Sequence, residues 1–229
     1  MKNILIASIS LAAAFGVHGQ TYINDGHVDI GIGYAAGEFD LHVHQELPIE
    51  AEYAPDEAIF RVSEAGFVTS PGGAFTQILG PSGSSAWVIP SSQVAGLPFL
   101  GFGTEELVET EWLSNITLSL TAVNGPGSLS IWSVGSFGTP TVLASSADGI
   151  STSDKLSLVP GSHGHFNIGF TQPGLYEVTF EAAGIHATDG AKLSTPATYR
   201  FEVVPEPSTW ALLSLGTAAL LFGARRARG

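Results

Sequence analysis

Histidine is the residue type whose placement in this chain could do chemistry. The segments His27-Val28-Asp29, Asp40-Leu41-His42-Val43-His44-Gln45-Glu46 and His163-Gly164-His165 set imidazoles and carboxylates at alternate positions. In an extended strand successive side chains point to opposite faces, so His-X-His puts two imidazoles on one side, roughly 6.5–7 Å apart. Across 39–47, Phe39, Leu41, Val43 and Leu47 share one face, and Asp40, His42, His44 and Glu46 share the other. Across 27–32, Val28, Ile30 and Ile32 oppose His27 and Asp29; across 163–170, Phe166, Ile168 and Phe170 oppose His163, His165 and Asn167. Two such pairs from different strands could surround one ion. Neutral imidazole with carboxylate is a tetrahedral zinc donor set, whereas calcium prefers oxygen alone. His27, His42, His44, His163 and His165 are therefore the candidate ligands of one divalent site, with Asp29, Asp40 and Glu46 as supporting groups. The competing reading is a solvent-facing polar surface. For catalysis the case is thinner: Ser162, His163 and Asp154 make a triad only on paper, because no glycine-flanked nucleophile elbow accompanies them. The expectation is a protein that is not an enzyme. His186, beside Ala187-Thr188-Asp189-Gly190, reads as an exposed loop residue.

The elements that must hold these residues are strands. Ile116, Leu118, Leu120 and Ala122 alternate with Thr117, Ser119 and Thr121; Tyr176, Val178, Phe180 and Ala182 alternate with Glu177, Thr179 and Glu181; Tyr199, Phe201 and Val203 alternate with Arg200 and Glu202. Turn signals such as Pro71-Gly72-Gly73, Asn124-Gly125-Pro126-Gly127, Asp148-Gly149 and Pro173-Gly174 separate them. No interior stretch keeps a helical period, although Thr104-Glu105-Glu106-Leu107 could open a short helix with Thr104 as its cap. The pattern predicts an all-β domain over residues 20–204, an antiparallel Ig-like β-sandwich with the apolar alternation turned inward. Its expected core includes Val28, Ile30, Leu41, Val43, Leu118, Leu120, Phe166, Phe170, Tyr176, Val178, Phe180 and Phe201.

Both ends read as addresses. Lys2, the apolar run Ile4–Val17 and the small residue Gly19 describe a secretory signal peptide over 1–19, a helix too short to be a preferred membrane span. At the other end, residues 205–229 carry Pro205-Glu206-Pro207, an apolar stretch from Trp210 to Ala224, and Arg225, Arg226 and Arg228. Arginines behind an apolar helix stay cytoplasmic, which leaves the domain outside. This layout resembles the PEP-CTERM sorting signal. The resemblance implies signal peptidase and an exosortase-type enzyme as processing partners, transient membrane attachment through 210–224, and a setting of extracellular polysaccharide.

Charge narrows the partners further. The chain has 8 basic and 21 acidic residues, a formal charge of −13. Only four of the basic residues, Arg61, Lys155, Lys192 and Arg200, lie in 20–204, so that span is more acidic than the whole. Such a surface repels phosphate backbones and excludes nucleic acid as a partner. The absence of cysteine rules out disulfides and thiolate sites.

Several segments together resemble the choice-of-anchor M bacterial surface domain. They are GHVDIGIGY at 26–34, GEFDLHVHQE at 37–46, WVIPSSQVAGLPFLGFGTEEL at 87–107, NGPGSLSIW at 124–132 and GSHGHFNIGFTQPGLYEVTFEAAG at 161–184. Gly164 departs from the family pattern, which often has a bulky or basic residue between the two histidines. The resemblance implies handling of a transition metal, with a metal transporter as a partner. Two function classes follow: a surface metal-binding module, and a structural or adhesive component of the extracellular polysaccharide matrix without metal.

Overall fold

The computed structural model describes residues 20–204; the signal peptide and the two terminal helices expected at 1–19 and 205–229 lie outside them. In chain order the first strands are β1 (Thr21–Ile23), β2 (His27–Ala35), β3 (Glu38–Gln45), β4 (Ala51–Tyr53), β5 (Ala58–Val62) and β6 (Phe67–Thr69). A single helical turn, α1 (Thr76–Leu79), precedes β7 (Ser85–Ile89), β8 (Phe99–Gly103), β9 (Ile116–Asn124), β10 (Leu129–Val134) and β11 (Pro140–Ser145). The remainder are β12 (Lys155–Leu158), β13 (His163–His165), β14 (Asn167–Phe170), β15 (Gly174–His186), β16 (Gly190–Leu193) and β17 (Ala197–Val203). Among the described residues no helix is long and apolar enough to cross a membrane.

The domain is all-β, and its strands divide among three sheets. One runs β1-β5-β17-β15-β9-β12 with β16 beside β15, a second β11-β10-β14-β7-β6, and a third β13-β8-β2-β3-β4. The expectation of a purely antiparallel sandwich is corrected: β1 with β5, β5 with β17, and β2 with β8 are parallel pairs. Parallel neighbours need a long crossover between them, and alternation along each strand carries no trace of that.

Inward faces of all three sheets meet in one apolar core. Ile30 and Phe102 from the third sheet, Ile168 and Phe170 from the second, and Phe180, Tyr199 and Phe201 from the first are all buried in it. Phe180 meets Phe102 edge-on at 6.0 Å between ring centres, a contact that ties the first sheet to the third. Of the expected core residues only Phe166 is half-buried. The reason is local: residues 163–170 are two strands rather than one. β13 belongs to the third sheet and β14 to the second, and Phe166 sits where the chain crosses between them.

A hairpin fixes the register that matters most. Ala36 and Gly37 both have positive φ, 53° and 86°, as a two-residue type I′ turn requires. The turn sets Asp29 opposite His44, Gly31 opposite His42 and Gly33 opposite Asp40. On the far side of β2, β8 places Gly101 beside Asp29 and Gly103 beside Gly31. β13 then places His165 beside Gly101 and His163 beside Gly103.

Candidate metal centre

Two rows therefore cross the outer face of the third sheet. One reads His165, Gly101, Asp29, His44, and the next reads His163, Gly103, Gly31, His42. Histidines stand at the flanks and glycines occupy most positions between them, so the face is a trough. Glycine inside a strand weakens it by roughly 0.5–1 kcal/mol relative to alanine; such positions mark close approach of another group. A Cβ on Gly101 would lie 2.0 Å from Asp29 Oδ1, and one on Gly31 would lie 2.3 Å from His42 Nε2. The trough opens on a cleft of about 170 Å³ lined by Asp29, His44, Glu105 and Glu106 among others.

At one end of the trough, His27, His163 and His165 bring ligand atoms within 4.8 Å of one another. His27 Nδ1 donates to Glu46 Oε2 at 2.6 Å, and His163 Nδ1 donates to Glu105 Oε1 at 2.5 Å. A ring nitrogen that donates outward fixes the tautomer and leaves the Nε2 lone pair facing inward, the arrangement carboxylates impose on metal-binding histidines. His27 Nε2 and His165 Nε2 lie 3.2 Å apart. Two nitrogens on one tetrahedral zinc, each about 2.0–2.1 Å from the ion, are separated by roughly 3.3 Å. Phe99 stacks flat on His165, with ring centres 3.7 Å apart and planes at 5°, and so sets the angle of that imidazole.

Asp29 lies beneath these rings. It is 1% exposed, and neither carboxylate oxygen has a hydrogen-bond partner; Oδ1 is 3.8 Å from His27 Nε2. Burial pushes its carboxyl up from 3.8 to about 6, against the opposing pull of His27 and His163. The hydrogen bond from His27 holds Glu46 below its ordinary value, and the bond to Glu105 raises His163. Burial lowers His165, opposed by the neighbouring Leu100 backbone, and its Nδ1 is buried without a partner of good geometry. A buried carboxylate with two unmet oxygens costs stability unless a cation or donor meets it.

At the other end stand His42, His44 and Glu106, again with ligand atoms within 4.8 Å of one another. His42 is 6% exposed and makes no hydrogen bond through either ring nitrogen; Glu106 Oε1 approaches its Nε2 at 2.9 Å but outside hydrogen-bond angles.

The five histidines singled out in the sequence thus lie on one sheet face but fall into two groups rather than one. Asp29 brings a carboxylate oxygen within 4.8 Å of ligand atoms of His27 and Glu46, and likewise of Glu105 and His163, Glu46 accepts the hydrogen bond from His27, and Asp40 is exposed and joins neither group. Glu105 and Glu106 were missed. Residues 104–107 form no helix: Thr104 is fully buried and its hydroxyl donates to the carbonyls of Val159 and Ser162, which pins the turn that aims both glutamates at the trough. His186 is likewise corrected from an exposed loop residue to a 9% exposed strand end packed against Trp112 and Tyr34.

The comparison with known families falls on the tail. Residues 203–227 match the PEP-CTERM protein-sorting motif. The PEP-CTERM match includes Pro205, Glu206 and Pro207, and it marks the protein as one exported and sorted to the cell surface, with processing by an exosortase-type enzyme. Comparison with curated proteins and with solved structures gives no match.

Proposed function

We propose that this exported protein is a surface module that binds a divalent transition metal, zinc first, through His27, His163 and His165 with Asp29 as the fourth ligand. The observation that carries the reading is the 3.2 Å approach of two Nε2 atoms above a buried carboxylate whose oxygens accept no hydrogen bond. Glu46 and Glu105 hold the outer nitrogens of His27 and His163, so those two imidazoles are oriented before any ion arrives. The segments that resemble the choice-of-anchor M domain include β2, β3 and β13, which supply every histidine of the trough, and that resemblance points the same way. The site is read as one for binding or relay, and no residue is assigned a catalytic role.

Elemental analysis of the protein purified without an affinity tag, followed by calorimetry with zinc on the chelator-stripped form, tests this. Zinc should bind at neutral pH, and His165→Ala should weaken binding by tenfold or more. A protein that takes up no zinc, copper, nickel or manganese would leave the matrix role, for which the sorting tail and acidic surface suffice.

A further inference from the structure

The trough is longer than one ion needs. Ligands of a single tetrahedral zinc lie roughly 3.3 Å from one another, whereas β13 and β3 are separated by two intervening strands, or roughly 14 Å of sheet. Among the described residues, no group of ligand atoms within 4.8 Å joins His42 or His44 to the His27 group. Yet His42 is buried and neither ring nitrogen makes a hydrogen bond, although Glu106 Oε1 stands 2.9 Å from its Nε2. Gly31 leaves the space that His42 Nε2 occupies, and a Cβ on Gly33 would meet Glu106 Oε2 at 2.7 Å. Both glycines therefore clear the same end of the trough, where an apolar residue would have closed it.

The geometry points to a second divalent cation held by His42, His44 and Glu106, on the β3 side of Asp29. Two imidazoles and one carboxylate are a zinc donor set that leaves a coordination position open to water or to a ligand from outside the cell. Asp29, with two free oxygens, lines the cleft shared with His44 and Glu106 and forms the floor between the two ions. This inference rests on the trough being a metal site at all.

Zinc titration of the stripped full chain by calorimetry, with elemental analysis of the dialysed product, separates the possibilities. Two zinc equivalents per chain are expected. Glu106→Gln and His42→Ala should each weaken one equivalent by tenfold or more and leave the other unchanged, while His165→Ala does the reverse. Glu106 is 44% exposed at its side chain, so its substitution is readable even where His42→Ala fails to fold. One equivalent that Glu106→Gln leaves untouched overturns the second site and spares the first. One equivalent lost in both Glu106→Gln and His165→Ala means a single convergent centre and also overturns it. No zinc at all removes the underlying reading as well.

Discussion

Asp29→Asn isolates the electrostatics of the trough. The carboxyl of Asp29 rises from 3.8 to about 6 in the folded protein, chiefly through burial. Below the ordinary value the acid is protonated in folded and unfolded chains alike and contributes nothing. Between 3.8 and about 6 the folded chain holds the proton more tightly than the unfolded chain, so stability is lost as pH rises; above that window the loss is complete at roughly 3 kcal/mol. Asparagine keeps the shape and carries no charge. The stability of Asp29→Asn relative to wild type should therefore rise by roughly 2–3 kcal/mol between pH 4 and pH 7, measured by urea unfolding with tryptophan fluorescence in the presence of chelator. Zinc should act in the opposite sense: at a hundredfold excess over Kd it adds about 2.7 kcal/mol to the wild type, and markedly less to the variant. A wild-type-to-variant difference that stays flat across this pH range would refute the claim that Asp29 is an unmet buried charge.

Other perturbations probe separate links of the same reasoning. Gly101→Ala, whose Cβ would collide with Asp29 Oδ1, should weaken the His27 site by tenfold or more in zinc calorimetry, and Gly31→Ala should do the same to the His42 site. Phe180→Ala, deep in the core shared by the first and third sheets, should cost about 3–5 kcal/mol in denaturant unfolding. Burial would raise Asp154, but hydrogen bonds from the Ser145 and Ser151 amides and the Ser151 hydroxyl outweigh it and hold the carboxyl below its ordinary value. That contribution is present above about pH 3.9 and disappears as pH falls through the depressed value, so Asp154→Asn should destabilise by about 1–3 kcal/mol at pH 7 and much less near pH 2, read from thermal unfolding. Mass spectrometry of protein from its native surface should show a mature start near Gln20 and loss of the residues after Pro205-Glu206-Pro207.

The strands were legible because each writes its own exposure into the chain. Ile116 to Leu120 and Tyr176 to Ala182 alternate in sequence and alternate in burial. What sequence could not carry was which strand lies beside which. His163 and Phe166 read as opposite faces of one strand, but a strand that crosses between sheets keeps the same period on both sides of the crossing. The histidines were legible as a cluster through their shared polar face, while Glu105 and Glu106 were hidden because their aim depends on Thr104 bonding to Val159 and Ser162, more than 50 residues away. The glycines that hollow the trough carried a signal in Gly31, Gly33, Gly101 and Gly103, spaced two apart on a single face, but only strand register shows that they are neighbours.

The crossing at Phe166 would give an ion bound at the proposed site a mechanical role. β13 lies at the edge of the third sheet and only three residues long, and the chain leaves it directly for β14 in the second sheet. His27 and His165 are 138 residues apart in sequence, so an ion bound between them would fasten an early strand to the point where the chain passes from one sheet to another. A chain without cysteine has no covalent means of doing this. A metal fastening of this kind would be undone and remade by the medium: acid or a chelating polymer outside the cell would unlatch the edge, and a supply of metal would close it again.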